Sequence, residues 1–461
     1  MFLYGKMSIC LFLKGVMSVS GGREQWSSRL GFIMAAAGSA VGLGNIWRFP
    51  YLAGINGGGI FLLLYLLMVA AIGMPVMLAE MAIGRGGGLN AVGSFRKLKG
   101  GLWPMVGWAG VVAGFVILSF YGVVAGWTVA YMVKSFGSLM PQALKGNAEG
   151  VFRAFTWDWR QQVAYQAAFM LATIWIVYKG IGNGIERYCK VMMPLLFVIL
   201  SVLMVRSLTL DGAMKGVEFY LKPDFSKMSS KTVLDALGQA FFSLSVGMGC
   251  MITYGSYLGN RESLPYSVTV VTLMDVAVAI LVGFVIFPAV FAFGMEPTSG
   301  PGLIFITLPA VFARMPMGSA FSFLFFLLLF FAAITSSVSL LEVCVAYFKD
   351  EFRWDRARAS WILGFATFLL GIPSALSLGG HFPKVFGMDF MGAMDFLASN
   401  VLLPLGGIFI SVFAGWSWFD GAREEVRRGG RLPRPLEAFW VFSCRVLAPI
   451  AVTWVFIGSI R

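Results

Sequence analysis

Residues 30–53 read LGFIMAAAGSAVGLGNIWRFPYLA, and this stretch decides how the rest of the chain is read. It is long enough to cross a bilayer as a helix, for which roughly 20 apolar residues are needed. Its only charge is Arg48. Its middle, however, is Ala40-Val41-Gly42-Leu43-Gly44-Asn45. Glycine is costly inside a helix, and a helix interruption frees backbone polar groups that lipid cannot satisfy. Such an interruption survives in a membrane only where it is buried in protein or lines a cavity. The pattern recurs 205 residues further on as Ser245-Val246-Gly247-Met248-Gly249, again within an apolar stretch.

The whole chain fits that reading. Of its 461 residues 58% are hydrophobic and 12% charged, with mean hydropathy +0.81, against about a quarter charged in soluble domains. No charge interrupts Gly57 to Ala79, Ala236 to Asn260, Met315 to Leu341 or Phe396 to Phe419. Coarse helices are expected at 30–53, 58–84, 103–136, 160–178, 186–206, 233–258, 265–294, 317–348, 359–378, 392–420 and 436–459. A short helical hairpin is expected over Gly300 to Arg314, and the loops leave no room for a soluble domain. The net charge of +13 is not a nucleic-acid footprint. With a cytoplasmic N-terminus, 21 of the 35 Lys and Arg fall on the cytoplasmic side and 12 outside, as the positive-inside rule requires. Cys10, Cys189, Cys250, Cys344 and Cys444 are dispersed, and His381 is the single histidine; neither a disulfide framework nor a His-based metal site follows. Residues 1–22 read as an N-terminal extension. Its apolar stretch Ile9 to Leu13 is too short to span, and either a targeting signal or a misassigned start (Met17 is an alternative) accounts for it.

The two interrupted helices are the first and the sixth. Helices 1–5 and 6–10 then form two five-helix repeats, and an odd number of spans per repeat inverts one against the other. Paired Gly-interrupted helices in matching positions point to a transporter site at the bilayer midplane. The alternative for either motif alone is close helix packing through small residues. The expected fold is an all-α integral membrane protein of about eleven helices, an inverted five-plus-five repeat with helices 1 and 6 unwound. The boundaries are 1–22, 23–210, 211–422 and 423–461.

REQWSSRLGFIMAAAGSAVGLGNIWRFPY from Arg23, NGGG at Asn56 to Gly59 and PVMLAEMAIGR around Glu80 resemble the neurotransmitter:sodium symporter family, specifically its bacterial amino-acid members. GQAFFSLSVGMG from Gly238, FFAAITSSVS from Phe330 and MDF at Met394 extend the resemblance over about 23–459. It implies that the substrate carboxylate meets the amides near Leu43 and Gly44 and the hydroxyl of Tyr121. The ammonium would meet carbonyls of Ala40, Phe242 and Ser245, with Ser39 and Ser243 beside them. Ile117, Phe242, Met248, Ser336 and Leu340 would form the apolar part of the pocket. One sodium would lie between Ala40, Asn45 and Ser243, sharing the substrate carboxylate, and a second between Gly38, Val41, Ala332, Thr335 and Ser336. Hydroxyls, amide oxygens and carbonyls are the hard donors that sodium takes. For Thr335 and Ser336 the alternative is back-bonding to a carbonyl one turn earlier, and for Asn45 a helix cap.

Ionisable residues inside a membrane default to functional roles. Asp275 is the only charge between Glu262 and Glu296, and the resemblance, anchored on GFVIFPA from Gly283, implies a place at, or within a turn of, the first sodium. The family's chloride-dependent members hold an anion near there, so a fixed carboxylate implies that chloride is not required. Glu342 has no assigned role and is expected to face the cytoplasmic vestibule. The resemblance pairs Arg48 with Asp395 as an outer gate above Tyr121 and Phe242, and Arg23 with Asp350 as an inner gate helped by Trp26 and Tyr257. Gly184 and Pro194 mark a stretch of helix 5 that can unwind, or a plain kink. Two family positions differ: Ser39 replaces Asn and Ile55 replaces Glu.

Gly42 leaves room for a substrate carboxylate where amine carriers have Asp, and no charge falls among the pocket positions. The expected function is sodium-coupled uptake of neutral, hydrophobic or aromatic L-amino acids by alternating access, in a monomer or weak homodimer of the bacterial inner membrane. A proton-coupled transporter and a non-transporting sensor are the alternatives. An enzyme is disfavoured, because no cluster of acid, base, nucleophile or metal ligands is present.

Overall fold

The computed structural model of the chain describes residues 24–295, 302–430 and 432–460. Eleven segments build the bundle. They are α1 (Arg29–Ala40 and Gly44–Ile55), α2 (Gly59–Gly87), α3 (Pro104–Lys134), α4 (Trp159–Tyr178), α5 (Ile181–Leu208) and α6 (Ser230–Ser243 and Cys250–Gly255). They continue as α7 (Leu264–Ala292), α8 (Gly318–Phe352), α9 (Arg356–Leu378), α10 (Phe390–Ser417) and α11 (Arg434–Ser459). Eight of these are uninterrupted helices long and apolar enough to span a membrane, and α1 is a ninth, bent by 47° at its break. The remaining two are α4, with 20 residues, and α6, whose break leaves each half too short to qualify alone. The N-terminal extension 1–22 and Arg23 lie outside the described residues.

Burial orders the bundle. The most apolar stretch of α3 is 83% buried and that of α8 78%, against 22% for α11. Thus α3 and α8 run together through the core, with α1 packed on α5, α7 and α8, while α11 presents most of its surface to lipid. Ser28 starts α1 as its cap, accepting the Gly31 amide at 3.1 Å. Val41 ends the first half in extended conformation, φ −72° and ψ 98°.

The loops are more ordered than the sequence suggests. Short helices Leu139–Leu144, Ala148–Trp157 and Ala213–Leu221 fill the longer ones. Over 303–313 the described residues form one short apolar helix rather than a hairpin. Helix α8 runs to Phe352, four residues beyond the expected 348, and stops where Arg353 turns left-handed at φ 55°. That extension places Lys349 and Asp350 on its last turn. The four described cysteines are free and buried. We call the end of the bundle that carries Glu24 the inner face and the other end the outer face.

Candidate functional site: the two helix breaks

Both breaks sit deep in the protein, so every backbone group they free needs a partner. At the first break, Asn45 turns its side-chain oxygen back to the Gly42 amide at 3.2 Å. The Leu43 amide donates to the Tyr121 hydroxyl at 3.3 Å, and Gln239 Nε2 donates to the Gly44 carbonyl at 2.9 Å. The Ser39 carbonyl accepts from Ser245 Oγ at 2.8 Å and from Ser336 Oγ at 3.1 Å. At the second break the chain passes through Ser245 at φ 53°, Gly247 at φ 87° and Gly249 at φ 75°, conformations that glycine adopts without penalty. A Cβ on Gly247 would meet the Leu403 carbonyl oxygen at 2.5 Å. The Gly247 amide donates to Glu80 Oε1 at 2.6 Å. The breaks are thus wired to α2, α3, α8 and each other.

Between them lies a cavity lined by Ser39, Ala40, Gly42, Leu43, Gly44, Ile117, Tyr121, Phe242, Ser245, Met248, Ser336 and Leu340. All the substrate positions expected from the sequence are there except Ser243, and Gly42 joins them. A Cβ on Gly42 would come within 2.6 Å of Ser336 Oγ and 3.3 Å of the Tyr121 hydroxyl, so a side chain there would displace these hydroxyls.

Ser243 belongs to a neighbouring polar cluster. Asp275, fully buried, accepts from Asn45 Nδ2 at 2.7 Å, from Ser243 Oγ at 2.8 and 2.9 Å, and from the Tyr65 hydroxyl at 3.1 Å. These are oxygen-rich neighbours around one carboxylate that makes no ion pair among the described residues. Asn45 thus touches both the first break, through the Gly42 amide, and this cluster, through Asp275 and Ser243.

Gly38, Val41, Ala332, Thr335 and Ser336 come together where α1 meets α8. Ser336 Oγ reaches across to the carbonyls of Gly38 at 3.3 Å and Val41 at 3.4 Å. Thr335 instead bonds back to Phe331 and Ala332 at 3.0 and 3.1 Å, the local alternative open from sequence. A Cβ on Gly38 would lie 3.0 Å from Thr335 Cβ, so the two helices are in direct contact.

Above the cavity, Leu43, Gly44, Tyr121 and Phe242 also line an outer vestibule of about 280 Å³ that contains Arg48 and Asp395. These two charges are not within 4.0 Å of each other. The Arg48 guanidinium stands 5.1 Å from the Phe242 ring centroid, and Asp395 accepts from Ser399 Oγ at 2.9 Å.

The inner face is sealed. Trp26 packs against Phe32, Tyr254 and Tyr257 at 5.6, 5.1 and 6.3 Å between rings, and donates to the Tyr254 carbonyl at 3.0 Å. Glu24 pairs with Lys349 at 2.7 Å and Arg356 at 3.0 Å. Burial pushes the Glu24 carboxyl up, but Arg356, Lys349 and the Ile181 amide outweigh it and hold it at about 2. Asp350 accepts from the Asn90 amide at 2.7 Å; its expected partner Arg23 lies outside the described residues. Glu342, which the sequence left without an assigned role, has its partners on this face. It is fully buried, paired with Arg356 at 2.7 Å and bonded by the Tyr257 hydroxyl at 2.7 Å, because the turn after α8 folds the start of α9 back onto it. At the start of α5, Glu186 accepts from the Ser27 amide at 2.8 Å and from both Ser27 and Ser28 hydroxyls.

Tyr65, Gln239 and Glu80 were not singled out from sequence for the roles that they take here. Each is a polar side chain in an apolar run, which in lipid requires a partner, and that was the available signal.

A multi-pass helical bundle with two interrupted helices around a deep cavity has the architecture of a secondary transporter. The chain belongs to the sodium:neurotransmitter symporter family, whose model matches residues 23–149 and 158–461. It is 40% identical to the uncharacterised sodium-dependent transporter YhdH of Bacillus subtilis, over 95% of this chain and 97% of that one. It is 35% identical to an uncharacterised sodium-dependent transporter of Haemophilus influenzae, over 95% and 98%. Its fold matches the crystal structure of MhsT in complex with L-phenylalanine with a TM-score of 0.88 and 48% identity, covering 95% of this chain and all of that one. The protein is therefore a sodium-dependent transporter and not an enzyme.

Proposed function

We propose that the chain couples inward sodium movement to uptake of neutral L-amino acids with hydrophobic or aromatic side chains. The observation that carries the reading is the cavity between the breaks: its lining holds no acidic or basic side chain, and residues of both breaks line it. The Leu43 and Gly44 amides and the Tyr121 hydroxyl receive the carboxylate. Carbonyls of Ala40, Phe242 and Ser245 take the ammonium, and Ile117, Met248 and Leu340 enclose the side chain. Met248 is flexible and polarizable, which suits varied apolar shapes. The L-phenylalanine bound to MhsT agrees with a substrate of this class.

Two sodium ions travel with it. The first takes the Asn45, Ser243 and Asp275 cluster, the Ala40 carbonyl and the substrate carboxylate, so that ion and substrate stabilise each other. The second takes Gly38, Val41, Ala332, Thr335 and Ser336; the hydroxyls turn from their carbonyl acceptors and offer lone pairs to the ion. Asp275 supplies a fixed negative charge that makes chloride unnecessary. Arg48 and Asp395 approach each other as the outer vestibule closes, and the Trp26 and Glu24 clusters part as the inner one opens. The repeats 23–210 and 211–422 exchange these arrangements within a monomer or weak dimer of the bacterial inner membrane, N-terminus inside.

Equilibrium binding of labelled leucine, phenylalanine and tryptophan to the purified protein, with sodium or choline, tests this. Binding should require sodium, and tryptamine, which lacks the carboxylate, should compete roughly 100-fold less well than tryptophan. Sodium-independent binding, or equal competition by tryptamine, would remove the shared-carboxylate coupling.

A further inference from the structure

Away from the transport path, the inner face carries a groove of about 580 Å³ between the short helix Phe419–Arg427 and the first turns of α11. Arg423, Arg427 and Arg434 line it, with Glu437 as the one carboxylate among its lining residues. Glu437 is already engaged by Arg423 at 2.5 Å and Arg427 at 2.8 Å. Arg434 is exposed and makes no ion pair among the described residues. Three guanidinium groups thus line the groove against one carboxylate, which two of them already engage, leaving the groove cationic. A fourth, Arg445, lies close by, 4.1 Å from the Phe419 ring centroid and 5.3 Å from that of Trp416.

The groove is apolar at its other wall, where Phe442 belongs both to the lining and to the lipid-facing side of α11. From there Phe442, Val446, Ile450, Trp454 and Ile457 are exposed along α11, three or four residues apart and so on one face of the helix. A cationic recess therefore opens at the foot of a continuous apolar track. Trp416, 62% exposed beside Arg445, is the residue type that settles at the level of lipid headgroups.

We propose that this groove binds an anionic phospholipid, its headgroup phosphate held between Arg434 and the Arg423–Arg427 pair and an acyl chain laid along the Phe442–Ile457 face. Guanidinium groups bind phosphate through paired hydrogen bonds. A zwitterionic lipid would bring its own cation into a recess that is already positive, whereas an anionic lipid answers the excess charge. The inference rests on the membrane-spanning fold and not on which amino acid is carried, so its failure would leave the transport reading untouched.

The test is native mass spectrometry of the full chain purified in detergent, offered equal amounts of phosphatidylglycerol and phosphatidylcholine. Phosphatidylglycerol should be retained in preference. Arg434→Gln should weaken that retention about fivefold, the equivalent of about 1 kcal/mol for one arginine at an anionic surface. Because Arg434 pairs with no acid among the described residues, the variant should melt as the wild type does in phosphatidylcholine, and Arg434→Lys should fall between the two in lipid retention. Equal retention of the two lipids, or phosphatidylglycerol retention unchanged in Arg434→Gln, would overturn the proposal. So would inorganic phosphate protecting the protein from thermal unfolding as well as phosphatidylglycerol does, which would make the groove a soluble-anion site. A doubled mass that disappears in Arg434→Gln would assign it instead to a second copy of the chain.

Discussion

Replacing Asp275 by Asn keeps the shape of the side chain and one oxygen but removes the charge. In the structure the carboxylate is fully buried and is met by Asn45, Ser243 and Tyr65, all neutral donors. Its charge is therefore balanced only when a cation arrives. A sodium ion within about 4 Å of it gains about 4 kcal/mol at an effective dielectric near 20. Part of that gain is returned because the carboxylate loses neutral hydrogen bonds to the ion, each worth about 1.5–3 kcal/mol when charged. With one such hydrogen bond returned, a net loss of about 1–2.5 kcal/mol corresponds to a sodium half-saturation roughly 5- to 70-fold higher in Asp275→Asn. Sodium titration of leucine or phenylalanine binding measures it, with the melting temperature as control for folding. The variant, unlike the wild type, should also bind better when chloride replaces gluconate, since a mobile anion restores the missing charge. A sodium half-saturation within about threefold of wild type, or no effect of chloride on either protein, would refute the reasoning.

Other perturbations probe the remaining parts. Gly42→Ala puts a methyl group 2.6 Å from Ser336 Oγ and should lower amino-acid affinity at least about tenfold, read by the same binding assay. Ser336→Ala removes the α8 hydroxyl that reaches the carbonyls of Gly38, Ser39 and Val41; sodium half-saturation should rise roughly tenfold, about 1.5 kcal/mol. The inner cluster should be acid-sensitive through Glu24, whose carboxyl is held at about 2 against an ordinary 4.5. A depressed acid stabilises the folded contact fully above its ordinary value, and the stabilisation is lost as pH falls from about 4.5 towards about 2. Hydrogen-exchange protection over 24–32, corrected for the intrinsic pH dependence of exchange, should fall across that window in the wild type, and Glu24→Gln should be poorly protected already at neutral pH.

What could be read from the chain in advance was governed by locality. The breaks announced themselves because glycines inside an apolar run are expensive, and Asp275 because it is a lone charge among uncharged neighbours. The cavity residues followed from those motifs and the family resemblance. Partners far along the chain did not. Glu80 meets Gly247 167 residues away, and Tyr65 meets Asp275 210 residues away; nothing in their spacing names the other end. The partner of Glu342 was hidden for a different reason. Arg356 is only 14 residues on, but the left-handed turn at Arg353 that reverses the chain is adopted by a residue with no special preference for it. Likewise the described part of the expected hairpin, 303–313, forms one short helix, since nothing over that stretch forces a turn. Arg48 and Asp395, paired by the family resemblance, stand apart in the structure, each with a neighbour of its own in Phe242 and Ser399.

The central claim is coupling, and uptake into proteoliposomes tests it most directly. Labelled leucine and phenylalanine are supplied outside vesicles loaded with potassium, under an inward sodium gradient, an inward proton gradient with choline, or neither. Concentrative uptake with the sodium gradient, abolished by Asp275→Asn at low sodium, is the predicted result. Accumulation driven equally by the proton gradient without sodium would contradict it.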